Sequence, residues 1–442
     1  MKPFAYLLAA ALLMSAAPAW ACTSDDLTTA DIEEQIQAGY FLDRQGEYQL
    51  AIDKFQGIIK AHPDNRKAHY FLANTYWRDN NFIESSKQWA TVLRMEPTDR
   101  IGREAREWLD ANGKYIKTGA VVQTVTGGQP GFADGTMSTA RFRSPSGMVL
   151  SPTGNLYIAD TGNHRIRRIT PDGRVLTVAG NGTAGYADGQ ARTALLDAPH
   201  GLALDPVGNL YFCDGPRVRF VTPDGKVGTA AGGADRAFID GTYDRARFRN
   251  PRAISCDDKG NVFVADDGTA LRVIQPNGEV HLLAGSARAD FTDGQGEGAR
   301  FKNITALKWT KDRVLVVVDA GANRLRAVDM LGRVKSLPGC MQVGYVDGPI
   351  GSAHFSKVGG LAVDQRGNVL LADTGNFAIR RVNDKLEVET LAGGAGAGAQ
   401  DGLGVNAHFR EPSDIAVWNN TVFVLDRQLH GVRRITLSAK EL

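Results

Sequence analysis

One motif repeats along most of this chain and leaves few folds open to it. The run Leu156-Tyr157-Ile158-Ala159-Asp160 recurs as Leu210-Tyr211-Phe212-Cys213-Asp214, Val262-Phe263-Val264-Ala265-Asp266 and Leu315-Val316-Val317-Val318-Asp319. It returns again as Val369-Leu370-Leu371-Ala372-Asp373 and Val422-Phe423-Val424-Leu425-Asp426, so that the aspartates stand 52 to 54 residues apart. Each run is β-rich and is entered by a turn such as Ser151-Pro152-Thr153-Gly154-Asn155, which makes it a strand inside a hairpin. A basic-apolar strand follows, as in Arg165-Ile166-Arg167-Arg168-Ile169, and then an outer strand such as residues 175–179. Four strands per unit, a polar connector and a rigid period describe a propeller blade, and six copies predict six blades. The 50 glycines fit a protein of many tight turns, because glycine reaches positive φ freely.

The sixth unit is incomplete. Units one to five end in an outer strand of the form Leu176-Thr177-Val178-Ala179-Gly180, whereas the sixth stops at Ile435-Thr436-Leu437. The missing strand has its match ahead of the first unit, at residues 121–126, followed by Gly131-Phe132-Ala133-Asp134-Gly135 just as Gly185-Tyr186-Ala187-Asp188-Gly189 follows the outer strand of unit one. The N-terminal strand is therefore expected to pair beside residues 432–437 and close a propeller spanning residues 119–442.

The period exceeds the ~40–45 residues of WD repeats, and the Gly-His and Trp-Asp marks of that family are absent. The wording of each unit instead resembles the NHL repeat. Asn155 through Arg167, then Val178-Ala179-Gly180, Asp188-Gly189 and Pro199-His200-Gly201-Leu202, follow that family's pattern in order, and Asn368 to Arg380 repeats it. The resemblance covers residues 121–437; units two, three and six depart from it at the turn after the aspartate, with Asp214-Gly215-Pro216, Asp266-Asp267-Gly268 and Asp426-Arg427-Gln428. It implies a six-bladed β-propeller.

Ahead of the propeller, residues 30–115 carry helical periodicity. Gly39, Tyr48, Ala51, Phe55 and Pro63 stand 34 residues ahead of Ala73, Phe82, Ser85, Trp89 and Pro97, a period and pattern that resemble the tetratricopeptide (TPR) repeat. The small residues permit close helix crossings, and a third helix over residues 99–111, with Arg103, Glu104, Arg106 and Glu107 on its wet side, caps the stack. The fold class is thus mainly β, an NHL-type six-bladed propeller preceded by a small α-helical TPR-like domain. A groove between such repeats implies a peptide or protein partner; a spacer or dimerisation role is the plain alternative.

The first 21 residues read as an export signal. Lys2 precedes an apolar run over residues 4–14, and Ala19-Trp20-Ala21 supplies the small residues that a signal peptidase accepts. Cleavage leaves Cys22 first, which also admits a lipid anchor, although Ala19 stands where a lipoprotein signal usually has Leu. The expected location is periplasmic or secreted, with no transmembrane segment, since no later stretch approaches the ~20 apolar residues a spanning helix needs. The formal charge of +2 gives no broad field for nucleic acid. Cys213, Cys256 and Cys340 lack CxxC spacing, and Cys213 and Cys256 fall at hydrophobic slots, so burial is expected and a disulfide is not.

A residue present in every blade builds the ring; a site needs residues found in one or two blades. Asp160 and its counterparts are therefore read as turn caps and blade-to-blade hydrogen-bond acceptors, and the Asp134 series through Asp188, Asp240, Asp293, Asp347 and Asp401 as structural connectors. The candidates are the exceptions. His164 and His430 hold matching places in the first and last blades, and His200 lies where other blades have Ser146, Arg252, Thr305 or Ser413. Three imidazoles near one rim would suit a transition metal, and the resemblance to the NHL family implies a precedent, since related amidating lyases carry zinc on an NHL propeller. Asp414 replaces the Gly or Ala of the other inner strands, Gly147, Gly201, Ala253, Ala306 and Gly360, and is read as a contact for a ligand or calcium, as in gluconolactonase-like propellers, or as a cap of its own strand. Zinc or calcium are the cofactors these positions admit. The leading expectation is an exported scaffold holding a protein, peptide or glycan; the alternative is a metal-dependent lyase or lactonase-type hydrolase acting at the central channel.

Overall fold

The computed structural model describes residues 29–79, 81–95, 99–118, 120–337 and 342–437. The signal-like segment, Cys22, Pro97 and Cys340 lie outside them. Two compact units result, one through Ala111 and one from Asn112.

The helices are Thr29–Gln45, Tyr48–Ala61, Arg66–Arg78, Phe82–Arg94 and Arg100–Thr118, the last starting in the first unit. Short turns join the first four, and Asn65 and Asn81 cap their helices by accepting the Ala68 and Glu84 amides. One core gathers Ile36, Ile52, Phe55, Leu72 and Tyr76, and a second gathers Ala73, Trp89, Val92 and Ala105. Gly39 shows why the first crossing needs a small residue: a Cβ there would lie 2.7 Å from the Phe55 ring. Ser85, fully buried, offsets its polarity by donating to the Ala73 carbonyl at 2.8 Å. On the last helix Arg103, Arg106 and Glu107 are exposed, while Glu104 accepts from the Tyr70 hydroxyl at 2.6 Å.

The second unit is a six-bladed β-propeller, each blade a five-stranded sheet. Its inner strands are Gly147–Leu150, His200–Leu204, Pro251–Cys256, Ile304–Trp309, Val358–Val363 and Pro412–Trp418. Each leads through the aspartate-ending strand and the basic strand to an outer strand, and two residues of the preceding connector, such as Gly135–Thr136, pair with the outer edge. The runs are continuously apolar because both faces of a blade are covered; every residue of Val262–Asp266 is buried. Six apolar clusters result, one between each pair of neighbouring blades.

The ring closes through its N-terminal strand. Val121–Thr126 pairs antiparallel with Gly431–Thr436, Val122 opposite Ile435, so the last blade is built from both ends of the unit. Val122 packs in the cluster between blades five and six, and Val125 against the cluster between six and one. Cys213 is buried and Cys256 largely so, both as free thiols, and burial raises both above the usual thiol range.

Candidate functional site at the channel mouth

The charges repeated in every blade are used up by the fold. Arg167, Arg219, Arg272, Arg326, Arg380 and Arg433, one per basic strand, are fully buried. Arg167 reaches Asp134 at 2.7 Å and Asp160 at 2.8 Å, donates to the Ala133 and Arg141 carbonyls, and lies against Phe132 and Phe142. The other five repeat the plan, each with one aspartate of either series. Asp160 also accepts the Arg143 amide at 2.8 Å, capping the connector that enters its own blade. These aspartates thus tie a blade to its own connector and arginine; the bond to the neighbouring blade expected from the sequence is not how they act.

Histidines make that link. His164 Nδ1 accepts the Ala198 amide at 3.2 Å, joining blade one to the loop entering blade two, and His430 Nδ1 accepts the Ser144 amide at 3.1 Å across the closing junction. Both occupy left-handed turns, at φ 52° and 55°. Among the described residues no three potential ligands stand close enough to hold a metal ion, so the three imidazoles do not form the cluster their positions in the repeat had raised. His200 alone faces the channel mouth.

The hydrogen-bond registers align the inner strands, with an irregularity at the start of all but the first. At one level stand Gly147, Ala253, Ala306, Gly360 and Asp414, where blade two has the irregular pair His200-Gly201; two residues deeper stand Val149, Ala203, Ser255, Lys308, Ala362 and Ala416. Asp414 and Lys308 are thus the charged exceptions in an otherwise small and apolar wall. Room for Asp414 comes from Gly360, where a Cβ would fall 2.6 Å from the Asp414 Cα. Its carboxylate accepts the Met148 amide of blade one at 2.8 Å and its neighbour Ile415's amide at 2.9 Å, so it does cap its own strand and also bridges to blade one. Burial pushes its pKa up to about 7 against the pull of those two amides and of Lys308. Lys308 keeps much of its side chain open to the channel, yet the surrounding ring still lowers its pKa, and Asp414 opposes that shift. Lys308 lies two residues past the inner-strand start that singles out Asp414, at a level whose residues vary from Val149 to Ser255, so the repeat alone does not mark it.

A cavity of about 160 Å³ inside the channel contains both groups. It opens into a mouth cavity of about 620 Å³, and Ser146, Arg252, Thr305, Gly359 and Ser413 line both. His200, Lys357, Glu411 and Arg427 complete the rim. Burial, and next the adjacent Arg252, hold the His200 pKa down to about 4, so the ring is neutral at physiological pH.

Known proteins match this architecture. The NHL repeat family model matches residues 142–169. NHL repeat-containing protein 2 of Bos taurus is 27% identical over 324 residues, covering 62% of this chain and 43% of that protein. The chain is a six-bladed β-propeller that carries an NHL repeat. Protein SUPPRESSOR OF QUENCHING 1, chloroplastic, of Arabidopsis thaliana is 30% identical over 285 residues, covering 60% of this chain and 27% of that protein. The chain therefore spans less than half the length of these two relatives. Among solved structures, an auxiliary nutrient binding protein of Bacteroides ovatus ATCC 8483 aligns with a TM-score of 0.56 at 14% identity, over 73% of this chain and 77% of that one. A second of that description, from Bacteroides thetaiotaomicron VPI-5482, gives 0.56 at 15% identity over 72% and 77%. At such identity the likeness is one of fold. No helix among the described residues is long and apolar enough to cross a membrane.

Proposed function

We propose that this NHL propeller is an exported binding scaffold that holds a protein, peptide or glycan at its channel mouth, with the TPR-like helices as a second binding surface. The observation that carries this reading is the cavity of about 620 Å³ whose rim is built from residues that break the sixfold pattern. Repeated charges sit in closed ion-pair networks; the exceptions face open space, as binding groups do. The description of the two Bacteroides neighbours as nutrient binding proteins, and the signal-like N-terminus, support the same reading. A thermal-shift panel of short peptides and oligosaccharides on the whole chain tests it. A ligand that raises the midpoint of the wild type and not of the Arg252→Ser variant is the expected result; a panel whose every hit binds both forms equally contradicts it.

A second reading, a hydrolase or lyase working in the channel, rests on Asp414, a carboxyl held near neutral pKa beside a cavity, as general acids and bases are. Turnover of lactone substrates unchanged by Asp414→Asn would rule it out.

A further inference from the structure

We infer that the mouth cavity recognises a carboxylate, seated on Arg252; this rests on the binding reading above and names the group that is bound. Arg252 stands at the start of its inner strand, where the other blades have Ser146, His200, Thr305, Gly359 and Ser413. Each buried ring arginine meets two aspartates, whereas Arg252 has no carboxylate partner among the described residues. Two neutral groups hold it instead. Its Nη1 donates to His200 Nε2 at 2.6 Å and its Nε to Asn250 Oδ1 at 3.2 Å. An arginine nitrogen only donates, so His200 Nε2 carries the lone pair and the ring proton sits on Nδ1, 2.5 Å from the Ala198 carbonyl that accepts it. The guanidinium is thus oriented while its charge stays uncompensated at the wall of an open cavity.

The charge balance selects the ligand. Arg252, Lys357 and Arg427 stand around the mouth with Asp267 and Glu411, and Arg249 beside Asp267 adds a fourth cation, so positive charge is in excess. Glu411 is turned to Arg427 at 3.8 Å and Asp267 to Arg249 at 3.9 Å, so neither acid serves Arg252. The excess of positive charge calls for an anion, and the paired oxygens of a carboxylate fit the guanidinium fork of Arg252.

Isothermal titration of the full chain decides this with two probe pairs. One is acetyl-tetra-alanine with a free or an amidated C-terminus, and the other is digalacturonate against digalactose; the pairs distinguish a peptide from a sugar acid as the source. The acid member of one pair should bind at least about tenfold tighter than its neutral twin, as expected of a desolvated charge pair. That preference should vanish in Arg252→Ser, which copies Ser146 and Ser413 and should melt close to the wild type, and persist in part in Arg252→Lys. Equal binding of acid and neutral twins, or tighter binding of inorganic phosphate, overturns the carboxylate and leaves the binding reading standing. Silence from all four probes overturns the inference and counts against that reading too.

Discussion

The buried arginine of each blade is where a single atom group bears most of the fold. Arg167 is fully buried with two aspartates and two carbonyls around it, and removing one member of such a network leaves the others charged and dry, at a cost of about 3–5 kcal/mol. Arg167→Ala should therefore lower the denaturant midpoint of the propeller sharply; a loss under about 1 kcal/mol would show that water replaces the guanidinium easily. Asp414 makes a different prediction. Its folded pKa is raised to about 7 from 3.8, so the folded state binds the proton more tightly than the unfolded chain does. The stability it contributes is complete below about pH 4 and fades as pH rises to 7. Asp414→Asn should thus gain on the wild type between pH 5 and 8 in parallel melts, and a constant difference across that range would refute the shift. At this scale the sequence was only partly legible. The aspartate series could be recognised as structural because they recur, but their buried partner arginines hid inside strands whose basic residues alternate between core and solvent, as Arg167 and Arg168 do. Asp414 stood out as a departure from Gly and Ala; Lys308 and the uncompensated charge of Arg252 needed the registers and hydrogen bonds to be seen.

Among the elements, Val121–Thr126 carries the largest consequence for its size. The repeat showed an outer strand missing at one end and a spare one at the other, and only the antiparallel ladder of Val121–Thr126 on Gly431–Thr436 leaves neither edge bare. Deleting it removes several backbone hydrogen bonds, each worth about 0.5–1.5 kcal/mol net, along with the burial of Val122. A fragment of residues 128–442 should melt well below one of residues 119–442, or aggregate through its open edge; equal midpoints and solubility would contradict the closure. The histidine staples were harder to foresee. A histidine in a left-handed turn looks the same in sequence whether it waits for a metal or accepts a neighbouring amide, and only the 3.2 Å and 3.1 Å contacts of His164 and His430 separate the two. In the helical unit the 34-residue spacing singles out Gly39, where a Cβ would strike the Phe55 ring, and Ala73, which is fully buried.

The whole molecule divides its labour: residues that recur around the ring build it, with the His164 and His430 staples added at two junctions, and the proposed site is made of residues that do not recur. The repeat supplies its own controls, since a sister blade shows which side chain the ring accepts at each place. Arg252→Ser, Lys308→Ala and Asp414→Gly each substitute a residue already present at the same level in another blade. The most direct measurement is a thermal melt of this triple variant, with and without the ligand that shifts the wild type. The account predicts a cooperative transition within about 5 °C of the wild-type midpoint, a change of one to two kcal/mol, and no ligand-induced shift. A variant that unfolds, or one that keeps the full ligand shift, would contradict it.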